Sequence, residues 1–273
     1  MARQNLKGKK VIISGISSGI GKEIARILIE KYDCMVYGIA RNEDKIISFK
    51  NELSKPRNLV GYSLFDVATE QNWINLQSEL DNIGFKAQIL INCAGFLPPF
   101  ARFERCKPSD IEKVLQTNFL SCVYSTHHLL PILKQSGFFS IVNVSSSASL
   151  ATFAGISGYA SSKSALKSFS LCLSAEFGKS AYVGCICPGF SNTDVFRNQS
   201  ASEKDFNLIR KLSTSPQKIA KKTVKAIKAK KKLKIIGYDA KLMNFFYKLM
   251  PITTSKIITK ILKKSGMQLF KNL

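Results

Sequence analysis

The chain has 273 residues, 45% of them hydrophobic, enough for one large domain or two small ones with an ample core. Its formal net charge is +23 and unevenly spread: from Lys218 onward sixteen lysines face one acid, Asp239, a net +15 in about the last fifth. No apolar run reaches the roughly 18–20 residues that span a bilayer, and the first ten residues lack the apolar stretch of a secretory signal. Seven cysteines, none in a C-x-x-C pair, read as reduced, small core residues of a cytoplasmic protein rather than a disulfide or zinc framework.

Residues 9–15 (Lys-Lys-Val-Ile-Ile-Ser-Gly) are a β-branched run closed by glycine, the pattern of a parallel strand buried on both faces. Residues 20–31 set Ile20, Ile24, Ala25, Ile27 and Leu28 at helical spacing. Strands are expected at 34–40, 59–65, 88–92, 139–144 and 181–187, the last stopped by Pro188-Gly189. Helices are expected at 42–53, 70–80, 108–133 and 158–177. Strand and helix in strict alternation imply right-handed crossovers and an α/β fold, a doubly wound parallel sheet with helices on both faces. After Pro188 the segment 189–216 is polar, as befits a loop with a short helix; 217–228 is a lysine-rich helix and 233–237 a last strand.

The first strand runs into Ser14-Gly-Ile-Ser-Ser-Gly-Ile-Gly21 and then directly into a helix. Gly15, Gly19 and Gly21 permit a tight turn, and Ser17, Ser18 and Ile20 bring their backbone to a helix N-terminus that attracts a pyrophosphate. The second strand ends at Ala40-Arg41-Asn42. An acid placed there would hold the ribose 2′-hydroxyl of NAD(H), but Glu43 and Asp44 come too late. Arg41 suits a 2′-phosphate, which favours NADP(H). Asp66 and Val67 fit an adenine contact, and Asn92, Ala94 and Gly95 lie where backbone passes close to a cofactor. All these positions fall at carboxyl ends of strands, the ligand edge of a Rossmann-like sheet.

Tyr159 and Lys163, four apart, share one face of a helix. An ammonium beside a phenol favours the phenolate and fits the Tyr for proton transfer near neutral pH. His127 and His128 have no acidic ligand cluster and read as helix-surface or core residues, not metal ligands.

Taken together, these residues strongly resemble the short-chain dehydrogenase/reductase family. The likeness covers roughly residues 8–195: the glycine turn at 14–21, Asn92-Cys-Ala-Gly95, Asn118, Ser146, Tyr159-x-x-x-Lys163 and Pro188-Gly-x-x-x-Thr193, in the family's order. Ser14 stands for the usual Thr, and Cys93 for the second Asn. The resemblance implies hydride transfer between nicotinamide and a carbonyl or carbinol carbon. Tyr159 is then the proton donor, and Ser146 binds the substrate oxygen. Lys163 lowers the Tyr pKa and holds the nicotinamide ribose. Asn118 bends its helix and holds a water that links Lys163 to solvent. Pro188, Gly189, Ser191 and Thr193 contact the carboxamide end. Ser145 and Ser147 stay open as alternatives to Ser146, which lies thirteen residues before Tyr159, the family's usual offset. A homo-oligomer is implied as well.

Three segments, 96–103, 147–155 and 190–213, are expected to line the substrate pocket, through Phe96, Leu97, Pro98, Pro99, Phe100, Leu150, Phe153, Phe190 and Phe196. That lining suits a lipophilic ketone or alcohol, as in hydroxysteroid-dehydrogenase-like members and lipid metabolism. Residues 1–238 then form the NADP-binding catalytic domain and 239–273 a basic, amphipathic helical extension. The extension has three readings: packing on the domain or over its pocket, attachment to an anionic membrane surface, and a partner interface. Nucleic acid is not expected, because no motif joins the charge. Two rivals remain: a ketoacyl-carrier-protein-type reductase, and a weakly catalytic NADP-binding protein tethered by its tail.

Overall fold

The computed structural model describes residues 3–191, 203, 205, 213–271 and 273. Seven strands form one sheet: β1 (Lys10–Ser14), β2 (Met35–Ala40), β3 (Leu59–Leu64), β4 (Ile89–Asn92), β5 (Phe139–Val144), β6 (Ala181–Pro188) and β7 (Leu233–Ile236). Every neighbouring pair is parallel, in the order β3-β2-β1-β4-β5-β6-β7. The order reverses between β1 and β4, and a crevice opens there at the carboxyl ends of the strands.

Strand alternation divides the core into two layers. Val11, Ile13, Ile89, Ile91 and Val142 pack on one side against α1 (Gly19–Tyr32), α2 (Glu43–Asn51) and α7 (Pro216–Lys228). Ile12, Leu90, Ile141 and Val183 face the other way, against α3 (Glu70–Asn82), α5 (Ser121–Lys134) and α6 (Ser157–Glu176). Trp73, Leu80, Leu129 and Leu133 on those helices are fully buried, each contributing roughly 1.5–3 kcal/mol of transfer free energy. Local signals set the helix starts. Asn42 caps α2 by accepting from the Lys45 amide at 2.8 Å, and Ser215 caps α7 just before Pro216 at its first position.

The single helix expected at 108–133 is instead two: α4 (Pro108–Leu115) and α5, joined by a π-helical turn at Gln116–Leu120. Asn118, in that turn, is fully buried, and its amide is drawn inward to the backbone of Phe96. A π-turn absorbs the extra residue that this pull requires.

The extension forms α8 (Tyr238–Leu249) and α9 (Pro251–Lys264). The second helix starts at Pro251, because proline is preorganised for a first turn. Beyond α9 the chain turns back and buries Leu269, Phe270 and Leu273 against Leu97, Phe100 and Phe153. Thr152 Oγ1 lies 3.2 Å from both Tyr247 Oη and Ser255 Oγ, and Thr259 Oγ1 accepts from the Ala154 amide at 3.1 Å. The extension thus packs on the catalytic domain. No helix among the described residues is long and apolar enough to cross a membrane.

Candidate active site

A cleft of about 890 Å³ runs along the carboxyl edge of the sheet. One end is the turn between β1 and α1. Gly15 has φ +72°, and a Cβ there would lie 2.9 Å from the backbone of Ala94; a Cβ on Gly21 would overlap the Gly15 carbonyl oxygen. Only glycine lets the turn close this tightly. Ser18 occupies the N-cap position of α1 without a side-chain capping bond, so the first amides of α1 stay open toward the cleft. Ser14 ties the two central strands: its Oγ accepts from the amides of Cys93 and Ala94 at 3.2 and 3.3 Å. A hydroxyl is what the position needs, so Ser serves where the family has Thr.

Gly15, Ser17, Ser18, Gly19, Ile20, Gly21, Arg41, Asp66, Val67, Ala94, Gly95, Pro188, Gly189 and Ser191 all line this cleft. Asn92 does not. Its buried amide donates to Asn143 Oδ1 and accepts from Ser125 Oγ, both at 2.9 Å, in a polar chain that continues from Asn143 to Ser170. Thr193 and Phe196 lie outside the described residues. The turn, the open helix end and the cleft volume fit a dinucleotide. At the β2 end, neither Glu43 nor Asp44 lines the cleft, and Glu43 Oε1 accepts instead from Tyr62 at 2.8 Å. Lys45, not singled out from the sequence, joins Arg41 among the lining residues, and so does Asn42. Capping by Asn42 winds the first turn of α2 back toward the cleft. A cation five residues past the strand end was the available signal.

At the far end Ser146, Tyr159 and Lys163 line the same cleft. Lys163 is buried, and its Nζ donates to the Val144 carbonyl at 3.0 Å. A Cβ on Gly95 would sit 3.4 Å from both Lys163 Nζ and Asn118 Oδ1, so these two side chains flank Gly95. Asn118 stands behind the wall. It accepts from the Phe96 amide at 2.7 Å and donates to the Phe96 carbonyl at 2.8 Å and to Ser162 Oγ at 3.1 Å. The three adjacent serines separate by partner. Ser145 Oγ donates to the Lys163 carbonyl at 2.8 Å and is buried, and Ser147 is buried too. Ser146 is half-buried, accepts from the Ala148 amide at 3.2 Å, and keeps its own proton for another acceptor. Cys93 also lines the cleft; burial pushes its thiol up to about 12, the Lys163 charge opposing only weakly. His128, on α5, lies 3.0 Å from Glu70.

Beyond the trio the lining turns apolar, with Phe96, Leu97, Phe100, Phe153, Ile156 and Phe190. Phe153 stacks toward Phe190 at 6.4 Å and Phe100 at 6.3 Å, and Phe270 of the tail completes the row, 5.1 Å from Phe100. Leu150 is elsewhere, packed on Cys185 and Cys187 behind β6. Leu269, Phe270 and Leu273 escaped the sequence reading, because three residues at a chain end carry no periodicity.

A glycine turn at an open helix end, with Ser146, Tyr159 and Lys163 at the other end of the same cleft on a Rossmann-like sheet, fits one class: a nicotinamide-dependent oxidoreductase. The short chain dehydrogenase family model matches residues 9–204. A benzil reductase ((S)-benzoin forming) of Saccharomyces cerevisiae is 32% identical over 195 residues, 69% of this chain and 73% of that one. A 3-ketodihydrosphingosine reductase of Bos taurus is 30% identical over 235 residues, 81% of this chain and 68% of that one. Among solved structures, an actinorhodin polyketide ketoreductase variant with NADPH superposes with a TM-score of 0.73 at 20% identity, over 87% of this chain and 97% of that one. The chain belongs to the short chain dehydrogenase family, enzymes that act on carbonyl or CH–OH groups.

Proposed function

We propose that this protein is an NADP(H)-dependent oxidoreductase that interconverts a lipophilic ketone and its secondary alcohol, with Tyr159 as the acid/base. One observation carries the reading. The glycine turn, Ser146, Tyr159 and Lys163 share a single cleft whose remaining wall is apolar and largely aromatic, and the C-terminal segment packs against that wall. The names of two relatives agree with an apolar carbonyl: benzil is an aromatic diketone, and ketodihydrosphingosine a long-chain ketone.

When bound, the nicotinamide supplies the hydride. The residues do the rest. Ser146 donates its hydroxyl proton in a hydrogen bond to the substrate oxygen, which fixes the carbonyl and stabilises charge that develops there. Tyr159 transfers its phenolic proton to the same oxygen in reduction and takes it back in oxidation. Lys163 is held by Val144 with two N–H groups left over, and these remaining donors suit the nicotinamide ribose. Asn118 fixes the strand of backbone opposite by clamping Phe96. Arg41 and Lys45 would hold a 2′-phosphate.

Tyr159→Phe tests the assignment. The variant is expected to bind NADPH with unchanged affinity by fluorescence titration. Its reduction of benzil or a long-chain ketone is expected to fall by about 10²–10⁴-fold. Turnover within a few fold of wild type would remove Tyr159 from the chemistry.

A further inference from the structure

We propose that the outward faces of α8 and α9 dock on an anionic lipid bilayer, so that the cleft meets its substrate at the membrane surface. The second clause rests on the function proposed above; the docking itself does not.

An amphipathic helix on a protein surface ordinarily turns its apolar stripe inward. α8 instead presents Tyr238, Leu242, Phe245 and Leu249, at helical spacing, to solvent. Tyr238 is 81% exposed, Phe245 58% and Leu249 64%. Met250, Ile252 at 71%, Ile257 and Ile261 are exposed as well, the α9 isoleucines flanking its outward lysines. The apolar stripe of α8 left in solvent marks an interaction surface.

Charge selects the partner. Lys241, Lys248, Lys256 and Lys260 are exposed along the same two helices. Asp239, the one acid there, is turned inward, where its Oδ2 accepts from the Phe190 amide at 2.9 Å. Lys256, Lys260, Lys263 and Lys264 also line a groove floored by Ala154, a setting for lipid phosphates. A second copy across a two-fold axis would bring lysines against lysines. An anionic bilayer takes the apolar side chains into its interface and pairs the ammonium groups with headgroups. The inward side of the same hairpin packs behind the cleft wall: Met243, Ile258 and Leu262 join the cluster of Phe100 and Phe153.

Full-length protein is floated with phosphatidylcholine vesicles, with and without phosphatidylserine. It is expected to rise with the phosphatidylserine vesicles and to be released by high salt. Phe245→Ser/Leu249→Ser and Lys256→Glu/Lys260→Glu are each expected to bind at least tenfold more weakly while reducing a water-soluble ketone at the wild-type rate. Wild-type protein left in the lipid-free fraction would overturn the proposal. So would flotation that neither variant weakens, or a dimer that Phe245→Ser/Leu249→Ser splits while vesicles bind neither form. A protein that floats but reduces no carbonyl sinks only the functional reading; one that reduces ketones but does not float sinks only this one.

Discussion

Arg41 and Lys45 show how far a single residue can be read. Arg41 was legible, because a cation at the end of the second strand of an α/β sheet has a stereotyped partner. Lys45 was not, because its place depends on how Asn42 turns the chain into α2. Arg41→Ala/Lys45→Ala is expected to lower kcat/KM with NADPH by tenfold or more and leave that with NADH nearly unchanged. Equal losses with both cofactors would assign the pair a structural role. The serine triplet carries the same lesson. Spacing favoured Ser146, but only the hydrogen bond from Ser145 to the Lys163 carbonyl explains why its neighbour is occupied.

At the scale of elements, strands and helices were legible to within a few residues, because burial on both faces forces β-branched runs and capping residues mark the breaks. The π-turn at Gln116–Leu120 was hidden, since its cause is a tertiary hydrogen bond from Asn118 to a distant backbone. The buried chain Ser125–Asn92–Asn143–Ser170 was equally hidden and now explains the Asn at the end of β4. Asn143→Ala leaves the Asn92 side-chain N–H without its acceptor, a cost of about 1–3 kcal/mol, while Ser170 keeps its bond to the Leu166 carbonyl. Calorimetry is expected to show a melting point several degrees lower, and an unchanged one would count against the chain as a structural element. Between α1 and α2, Lys22 and Arg26 hydrogen-bond Glu52 at 2.9 and 2.6 Å and hold its carboxyl below the usual carboxylate value of 4.5. A carboxyl depressed in the folded state stabilises above its unfolded pKa, and the contribution fades as pH falls through the folded one. Glu52→Gln is therefore expected to lower stability at pH 7, by less than about 1 kcal/mol for so exposed a pair. In melts taken stepwise toward pH 3 the difference from wild type closes.

The whole molecule joins two parts of very different charge. Phe270 ties them, buried against Phe100 near the chamber. Phe270→Ala is expected to cost about 3–5 kcal/mol of stability. It should raise KM for a bulky ketone severalfold while NADPH affinity stays constant; a parallel loss of cofactor binding would mean that the tail supports the whole cleft. Sequence by itself determined the parallel sheet, the glycine turn and the Tyr159–Lys163 pair. Each depends on local pattern: strand burial, a turn only glycine can make, and the four-residue pitch of a helix. Tertiary structure decided that Ser145 is engaged with the Lys163 carbonyl, that Lys45 joins Arg41, that Asn92 is spent inside the core, and that the basic tail returns to pack against the wall of the cleft. Those outcomes rest on contacts between residues far apart in the chain, fixed by shape and hydrogen-bond saturation, which no periodicity encodes.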